Sequence, residues 1–223
     1  MTIPIPAQPK IYHIVHVDRL ASIISDGFSW SDAVMVQRPE TGTVIGMSDI
    51  KARRLHELHL NCHPDLLVGQ CTPFYFCPRS VMLYLIHKRH PELAYRGGQE
   101  PIIHLESDLH TAIRWAEHNE RRWAFTLSNA GARYFEDRSD IAALSEINWE
   151  AVQARQWSGG GLSHKEGKQA EFLIEHSFPW TLVESIASIP RPRVTSGDSH
   201  ARRHPSTVRR DQARMVLLRE GWP

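Results

Sequence analysis

A glycine-rich run followed closely by a short apolar run constrains the fold of this chain more than any other feature of its 223 residues. The first run, residues 157–161, reads Trp-Ser-Gly-Gly-Gly, and the second belongs to Lys-Gln-Ala-Glu-Phe-Leu-Ile-Glu at residues 168–175. Phe172, Leu173 and Ile174 form a continuous apolar stretch of the length typical of a buried strand. The pattern therefore predicts a flexible polar loop that leads into a core strand.

Glu171 stands at the start of this predicted strand, where the loop ends. Loops often carry functional groups and strands fix their geometry, so a carboxylate here is well placed to act on a bound substrate. An ordinary solvated glutamate at a strand edge explains the same residue. Glu175, four residues later, is predicted on the same face of the strand but further from the loop.

Short strands and helices follow one another irregularly along the rest of the chain. Strands are predicted at residues 11–15, 74–77, 102–105, 123–126 and 182–189, and helices at residues 18–24, 48–60, 80–90, 109–117 and 149–156. A mixture without regular βαβ alternation favours an α+β fold, in one domain over residues 1–223. Residues 1–10 are predicted to be a lead-in, and residues 190–223 a partly mobile tail in which residues 215–218 dock back.

Charge and composition exclude some classes of protein. Lys and Arg number 26 against 25 acidic residues, so the net charge of +1 gives no overall nucleic-acid signature. Basic residues are clustered locally at residues 51–54, 87–90, 121–122 and 209–210, as expected either of a nucleic-acid-binding face or of solvated surface. Three cysteines, no secretory leader and no apolar run of membrane-spanning length predict a cytoplasmic protein with reduced thiols and no membrane contact.

Four motifs occur in the same order as in a known family. They are Ile-Tyr-His-Ile-Val-His at residues 11–16, Ile-Lys-Ala-Arg-Arg at 50–54, Thr-Pro-Phe-Tyr-Phe-Cys-Pro-Arg-Ser-Val-Met-Leu at 72–83, and Lys-Gln-Ala-Glu at 168–171. Together they resemble the DarT family, the toxins of DarT–DarG toxin–antitoxin systems, which use NAD to ADP-ribosylate bases in single-stranded DNA. The resemblance covers residues 11–189 and implies the ADP-ribosyltransferase fold, with two small, mostly antiparallel sheets around an NAD cleft and helices outside.

The resemblance also implies roles for individual residues. Breaking the bond between nicotinamide and ribose builds positive charge on the sugar, and Glu171 is expected to bind ribose hydroxyls and stabilise that transition state. Arg54 matches the family's essential arginine and is expected to contact NAD and the transition state. His13 and Val15 on the first strand, and Tyr75, are the other expected NAD contacts. Apart from the resemblance, Arg54 fits a helix surface, His13 a satisfied polar group and Tyr75 an aromatic core.

The glycine-rich run corresponds to the substrate-recognition loop of the family. Arg79, His164, Lys165 and Lys168 are expected to contact DNA, since basic side chains meet phosphates and glycines let a loop adapt. Thymine is the expected target, although some members of the family modify guanine. NAD as co-substrate, a DarG-like macrodomain antitoxin as partner and the absence of a metal are further implications of the resemblance.

Two other functions share parts of this pattern. An ADP-ribosyltransferase acting on protein or RNA would keep Glu171 and Arg54 and differ in its loop contacts. A non-catalytic nucleic-acid-binding module with a decayed NAD site would be expected to lose Glu171, Arg54 or His13, and all three are present.

A group of zinc-type ligands offers an alternative to metal-free chemistry. The group consists of His56, His59, Cys62 and His63, with Cys71 nearby. Their spacing matches no zinc-site pattern, and His-Glu-Leu-His is not His-Glu-x-x-His. We therefore expect no metal.

Overall fold

The computed structural model describes residues 4–39, 42–157, 160–188 and 214–217, the last four by their backbone alone. Its strands are β1 (Lys10–His16), β2 (Phe28–Trp30), β3 (Cys71–Tyr75), β4 (Ile102–Asp108), β5 (Trp123–Thr126), β6 (Asp137–Arg138), β7 (Glu171–Glu175), β8 (Ser177–Pro179), β9 (Ser185–Ser188) and β10 (Arg214–Leu217). Its helices are α1 (Leu20–Asp26), α2 (Asp32–Met35), α3 (Ser48–His56), α4 (Val81–His87), α5 (Leu109–His118), α6 (Trp149–Gln153) and α7 (Gly161–Gly167).

The described strands form one large sheet and one small sheet. The large sheet has the order β10-β9-β4-β1-β3-β7-β5-β6, and β2 pairs with β8 in the small one. Neighbouring strands are antiparallel except β9 and β10, which run parallel. The predicted α+β fold with two mostly antiparallel sheets is confirmed, but the sheets are unequal, with eight strands and two.

The main core lies between the large sheet and the amphipathic helix α5. This helix is capped by Asp108, whose side chain accepts a bond from the Thr111 amide, and buries one face. Phe74 of β3 packs 4.5 Å from Phe178 and 6.3 Å from Phe172 between ring centroids. Aromatic contacts of this kind stabilise the fold beyond the contribution of the apolar area that they bury.

The pairing of β3 with β7 places the two candidate catalytic strands in register. Tyr75 lies opposite Glu171, and Phe74 lies opposite Phe172. Because side chains alternate along a strand, Phe74 and Phe172 enter the main core while Tyr75 and Glu171 leave it on the other face. Phe76 also lies in the main core, so Tyr75 alone of these three aromatic residues lines the cleft.

Several boundaries differ from the sequence prediction because tertiary contacts set where the elements begin and end. The helix predicted over residues 48–60 stops at His56, since Leu58 and Leu60 enter a second core cluster. The helix predicted over residues 149–156 stops at Gln153. The third strand begins at Cys71 instead of residue 74, because it pairs with β7 along its whole length.

The structure describes the two termini only in part. The lead-in reaches Pro9, and β1 begins at Lys10. The late strand is limited to Ser185–Ser188, and the backbone of β10 pairs with it, as predicted for a segment that docks back. The other residues of the predicted mobile tail, with the basic pair at 209–210, lie outside the described residues.

Candidate active site

A cleft opens beside β1 and β3 and brings four of the predicted site residues together. Its lining includes His13 and Val15 from β1, Tyr75 from β3 and Arg54 from α3. These residues are up to 62 positions apart in sequence (75 − 13), so only the fold makes them neighbours. Elements α1, β2 and α4 also contribute to the walls, and Asn129 contributes from the loop after β5.

Glu171 meets Arg54 at the wall of this cleft. The Arg54 Nη2 donates to Glu171 Oε2 at 2.9 Å, and the Ala130 amide donates to Oε1 at 3.1 Å. The Glu171 side chain is 2% exposed and that of Arg54 11% exposed, so the pair is largely shielded from water. Both oxygens of the carboxylate are held, and its position is fixed before any substrate binds.

The electrostatics of the pair keep Arg54 charged. Burial opposes the positive charge, but the Glu171 carboxylate outweighs it and holds the pKa of Arg54 above its ordinary value. A guanidinium with a raised pKa does not accept a proton near neutral pH. Arg54 is therefore suited to donate hydrogen bonds and supply charge, and not to act as a base.

Tyr75 presents a neutral phenol beside the carboxylate. It lies opposite Glu171 in the β3–β7 ladder and lines the cleft. Burial, followed by the charge of Glu171, raises the pKa of Tyr75. Its hydroxyl therefore stays protonated, and its ring offers an aromatic surface to a ligand.

His13 is fixed by two hydrogen bonds within the protein. Its Nδ1 lies 2.7 Å from the Pro73 carbonyl oxygen, and its Nε2 lies 3.1 Å from the Ser29 Oγ. A carbonyl oxygen can only accept, so Nδ1 carries the proton and Nε2 accepts from the serine hydroxyl. Burial lowers the pKa of His13, which keeps the ring neutral. A ligand in the cleft would thus meet a rigid neutral imidazole.

Two amide side chains near the carboxylate were missed in the sequence. Asn129 Nδ2 donates to Gln169 Oε1 at 2.9 Å, and the Gly131 amide donates to Asn129 Oδ1 at 2.7 Å. Gln169 Nε2 in turn donates to the Lys165 carbonyl oxygen at 3.0 Å. Ser-Asn-Ala-Gly after a strand has the composition of a turn, which was the available sign of Asn129. Gln169 lies in the turn that leads into β7, two residues before Glu171.

Ion pairs at the rim of the cleft were also missed. Lys51 Nζ lies 2.5 Å from Asp32 Oδ1, which ties α3 to α2. Asp26 Oδ2 accepts from Trp30 Nε1 at 2.8 Å and from Arg38. The sequence carried no sign of either pair, since oppositely charged residues this far apart become partners only in the folded chain.

The residues predicted to contact DNA have different surroundings. Lys165 is exposed on α7, and His164 beside it is half-buried, with Nε2 3.2 Å from the Gln156 carbonyl oxygen. Arg79 donates to the Arg155 carbonyl oxygen at 3.0 Å. Part of the glycine-rich run forms the start of α7, while Ser158 and Gly159 lie outside the described residues. Only Lys165 extends freely into solvent from this group.

The prediction that Lys168 contacts DNA is wrong, because its side chain is buried. The residue is 0% exposed, and its Nζ donates to the carbonyl oxygens of Ala151 at 3.0 Å and Ala154 at 2.5 Å. Cys77 Sγ lies 3.5 Å from the same nitrogen. A phosphate could not reach this ammonium without displacing its protein partners.

Glu175 has a separate, structural partner. Arg122 donates two hydrogen bonds to its carboxylate, from Nη2 to Oε1 at 2.7 Å and from Nε to Oε2 at 3.0 Å. These bonds hold the pKa of Glu175 below its ordinary value. Since both oxygens are engaged away from the cleft lining, Glu175 stabilises β7 and the strand end instead of the site.

The zinc-type residues have other surroundings than those of a metal site. His63 Nε2 lies 3.1 Å from the Trp123 carbonyl oxygen, and burial raises the pKa of the Cys62 and Cys71 thiols to about 12 each. Thiolates are the metal ligands, so these thiols are poorly prepared for one. Across residues 4–39, 42–157 and 160–188, no three His, Cys, Asp or Glu residues are arranged to hold a metal ion. In those same ranges no helix has the length and apolar character needed to cross a membrane.

Comparisons with known proteins match this arrangement over most of the chain. The family model "ssDNA thymidine ADP-ribosyltransferase, DarT" matches residues 12–212. A "DNA ADP-ribosyl transferase" of Thermus sp. (strain 2.9) is 36% identical over 185 residues, covering 82% of this chain and 82% of that protein. The structure of Thermus sp. 2.9 DarT in complex with ADP-ribosylated ssDNA has a TM-score of 0.75 at 32% identity, covering 86% of each chain. The same protein in complex with NAD+ has a TM-score of 0.68 at 31% identity, covering 83% of this chain and 84% of that one.

Proposed function

The chain belongs to the DarT family, and on that premise we propose that it transfers ADP-ribose from NAD to a base of single-stranded DNA and releases nicotinamide. The observation that carries the proposal is the buried Arg54–Glu171 pair at the wall of the cleft. A Thermus relative with 36% sequence identity has been solved with NAD+ and with ADP-ribosylated ssDNA.

The reaction breaks one bond and forms another at the same carbon. The bond from ribose C1′ to the nicotinamide nitrogen breaks, and nicotinamide leaves with its electron pair. A ring nitrogen of the base then bonds to C1′ and releases its proton to water. The ribose is electron-deficient between these events, so the carboxylate of Glu171 lowers the barrier by facing the developing positive charge.

The other cleft residues would position NAD for this step. Arg54, with its pKa raised by Glu171, supplies a permanent charge and forked donors for phosphate or base oxygens. Tyr75 offers a neutral ring for the nicotinamide or ribose, and His13 and Val15 form the adjoining wall. The buried pair would exclude water from the reacting carbon, which protects the intermediate from hydrolysis.

DNA is the proposed acceptor, with thymine as the proposed base. The family description names thymidine, and α7 presents the exposed Lys165 beside the catalytic strand. Arg79 and His164 are proposed to border the same path. A single strand suits the chemistry because a base edge used in pairing is accessible only in an open duplex. A DarG-like macrodomain antitoxin is the proposed partner, and the cytoplasm the proposed location.

Incubation with labelled NAD and defined oligonucleotides tests this function. The set comprises single-stranded DNA with thymine or guanine as the sole variable base, the matched duplexes and the matched RNA. We expect label on thymine-containing single strands and much slower labelling of duplex, because opening a pair costs a few kcal/mol. Glu171→Gln protein is the matched control and should give no label. Label on protein or RNA but never on DNA would favour the alternative acceptors, and label on guanine alone would replace thymine.

A further inference from the structure

Lys168 is a buried cation without a carboxylate among its described partners. Its Nζ donates to two backbone carbonyl oxygens and lies 3.5 Å from the Cys77 thiol, with the Trp157 ring centroid 5.5 Å away. Burying an ammonium is costly unless hydrogen bonds and nearby dipoles replace water. A methionine of similar length would fill this space without the cost of desolvating a charge. The ammonium is therefore expected to do more than fill space.

The two carbonyl oxygens belong to the end of α6. A helix leaves its last carbonyl groups unpaired and carries partial negative charge there. Ala154 is the C-terminal cap of α6, and Lys168 supplies a donor for its carbonyl oxygen. The carbonyl oxygen of Ala151, within α6, accepts from the Ala154 amide and receives a second bond from Lys168. The helix predicted to reach residue 156 ends at Gln153, because the backbone of Ala154 is extended.

These contacts join the chain that enters α7 to the chain that leaves it. Trp157 precedes α7, and Lys168 follows it directly. Trp157 is itself held, because its Nε1 donates to the Arg79 carbonyl oxygen at 3.1 Å and its ring stacks on Tyr84 with centroids 6.1 Å apart. We use the word stem for Ala154, Trp157 and Lys168, the residues at which the two sides of α7 meet.

The stem is linked to the catalytic carboxylate by a short stretch of chain and by the hydrogen bonds of one residue within it. Gln169 follows Lys168 and bonds to Asn129 in the cleft and to the Lys165 carbonyl oxygen on α7. Glu171 is three residues beyond Lys168 and begins β7. A change at the stem would therefore shift α7 relative to Glu171 while leaving His13, Tyr75 and Arg54 on their own strands and helix.

We propose that Lys168 is a positioning residue for the DNA strand: its ammonium closes the stem and so holds α7 beside the catalytic carboxylate, without touching NAD or DNA. The inference rests on the proposed function. It assigns to Lys168 a role different from the phosphate contact that its position in a basic, glycine-rich segment suggests. Because the bonds from the ammonium are made to backbone oxygens at the end of α6, this closure would tolerate different side chains there.

The test compares Lys168→Met with Lys165→Met, because each removes one lysine charge near α7 but only Lys165 is exposed. For Lys168→Met we expect the KM for a single-stranded oligonucleotide to rise by about 10- to 100-fold, the effect of misplacing a substrate by about 1 Å. The Kd for NAD should stay the same, and so should the slope of log affinity for DNA against log salt. Lys165→Met should reduce that slope, since a phosphate contact releases counterions.

The outcomes separate positioning from the alternatives. An unchanged KM for the oligonucleotide together with a lower Tm would reduce Lys168 to a purely structural role. Equal losses for NAD and oligonucleotide would show general collapse of the site, and a smaller salt slope would restore the direct phosphate contact. If Lys168→Met does not fold, Trp157→Leu weakens the same stem and should show the same selective rise in KM. A wild type that modifies no oligonucleotide overturns the proposed function as well, whereas an active wild type with unaltered variants overturns this inference alone.

Discussion

The two sides of Glu171, the proposed catalytic carboxylate, are built in opposite ways. On the strand side, Arg54 and Glu171 are buried, and His13 has both ring nitrogens bonded to protein. On the α7 side, Lys165 is exposed and Leu162 is 73% exposed, an unusual degree for a large apolar side chain. One side is rigid before any ligand arrives, and the other offers its side chains to solvent.

The difference corresponds to the two substrates. NAD is the same molecule in every turnover, so a wall fixed by packing and hydrogen bonds stabilises its transition state without reorganisation. A DNA strand varies in sequence and conformation, and exposed side chains on a short helix can adapt to it. The stem at Lys168 lies between the two and would keep the adaptable side in a defined place.

The strongest test of the rigid side is Glu171→Gln. We expect the rate of transfer to fall by at least about 10²–10³-fold, because an amide cannot face positive charge as a carboxylate does. Gln keeps the size of the side chain and one acceptor oxygen, for either Arg54 or the Ala130 amide, so the fold should persist. Truncation to Ala would leave Arg54 buried and unpaired, and loss of a buried partner costs about 3–5 kcal/mol. Single-turnover labelling of an oligonucleotide measures the effect.

Glu175→Gln is the matched control on the same strand. It loses two charge-assisted bonds to Arg122 but lines no part of the cleft. Its Tm should fall while transfer by the folded protein continues. Loss of activity equal to that of Glu171→Gln would contradict the assignment of the catalytic carboxylate.

Arg54→Lys tests whether the rigid side needs the planar set of guanidinium donors or only a positive charge. Lysine keeps the positive charge beside Glu171 but provides a point charge in place of a planar fork. We expect kcat/KM to fall by about 10²-fold, less than for Glu171→Gln, because part of the electrostatic stabilisation survives. Arg53→Lys is the control, since Arg53 is adjacent in sequence and absent from the cleft lining. Equal activity of Arg54→Lys and the wild type would reduce Arg54 to a simple counter-charge.

The rigid side was also the side that sequence could predict. His13, Val15, Tyr75, Arg54 and Glu171 lie on regular elements, and motif order identified them before the fold showed four of them in one cleft with Glu171 at its wall. Lys168 was misassigned, because a lysine next to a glycine-rich run has the composition of a phosphate contact. Its burial depends on where α6 ends, and that is set by tertiary contacts that no local pattern encodes. Asn129 was missed for a similar reason, since its side-chain partner Gln169 is 40 positions away in sequence.

Acid should weaken the rigid side more than the exposed side. Burial lowers the pKa of His13 and of His104, so both are neutral in the fold at neutral pH. As pH falls through about 6.5, the histidines of the unfolded chain bind protons that those of the folded chain do not, and the free energy of unfolding decreases. Above that pH the two histidines are neutral in both states, so they cause no further change in stability. Tm should therefore fall between pH 7 and pH 5.5, by about 2–4 °C for each kcal/mol. The Tm of the His13→Asn variant should fall less over this range, because asparagine does not titrate. An equal fall in Tm would show that His13 does not contribute.

The smallest expected effect concerns the exposed side. Lys165→Ala should leave kcat and the Kd for NAD unchanged, because the side chain points into solvent and contacts no cleft residue through its ammonium in the described ranges. If Lys165 meets one phosphate, the slope of log K against log salt should become shallower by about 0.7, the value for one contact with a single strand. All oligonucleotides should be affected alike, since a phosphate contact carries no base information. A change in base preference with an unaltered salt slope would mean that α7 reads bases instead of backbone, and would make the adaptable side the origin of specificity.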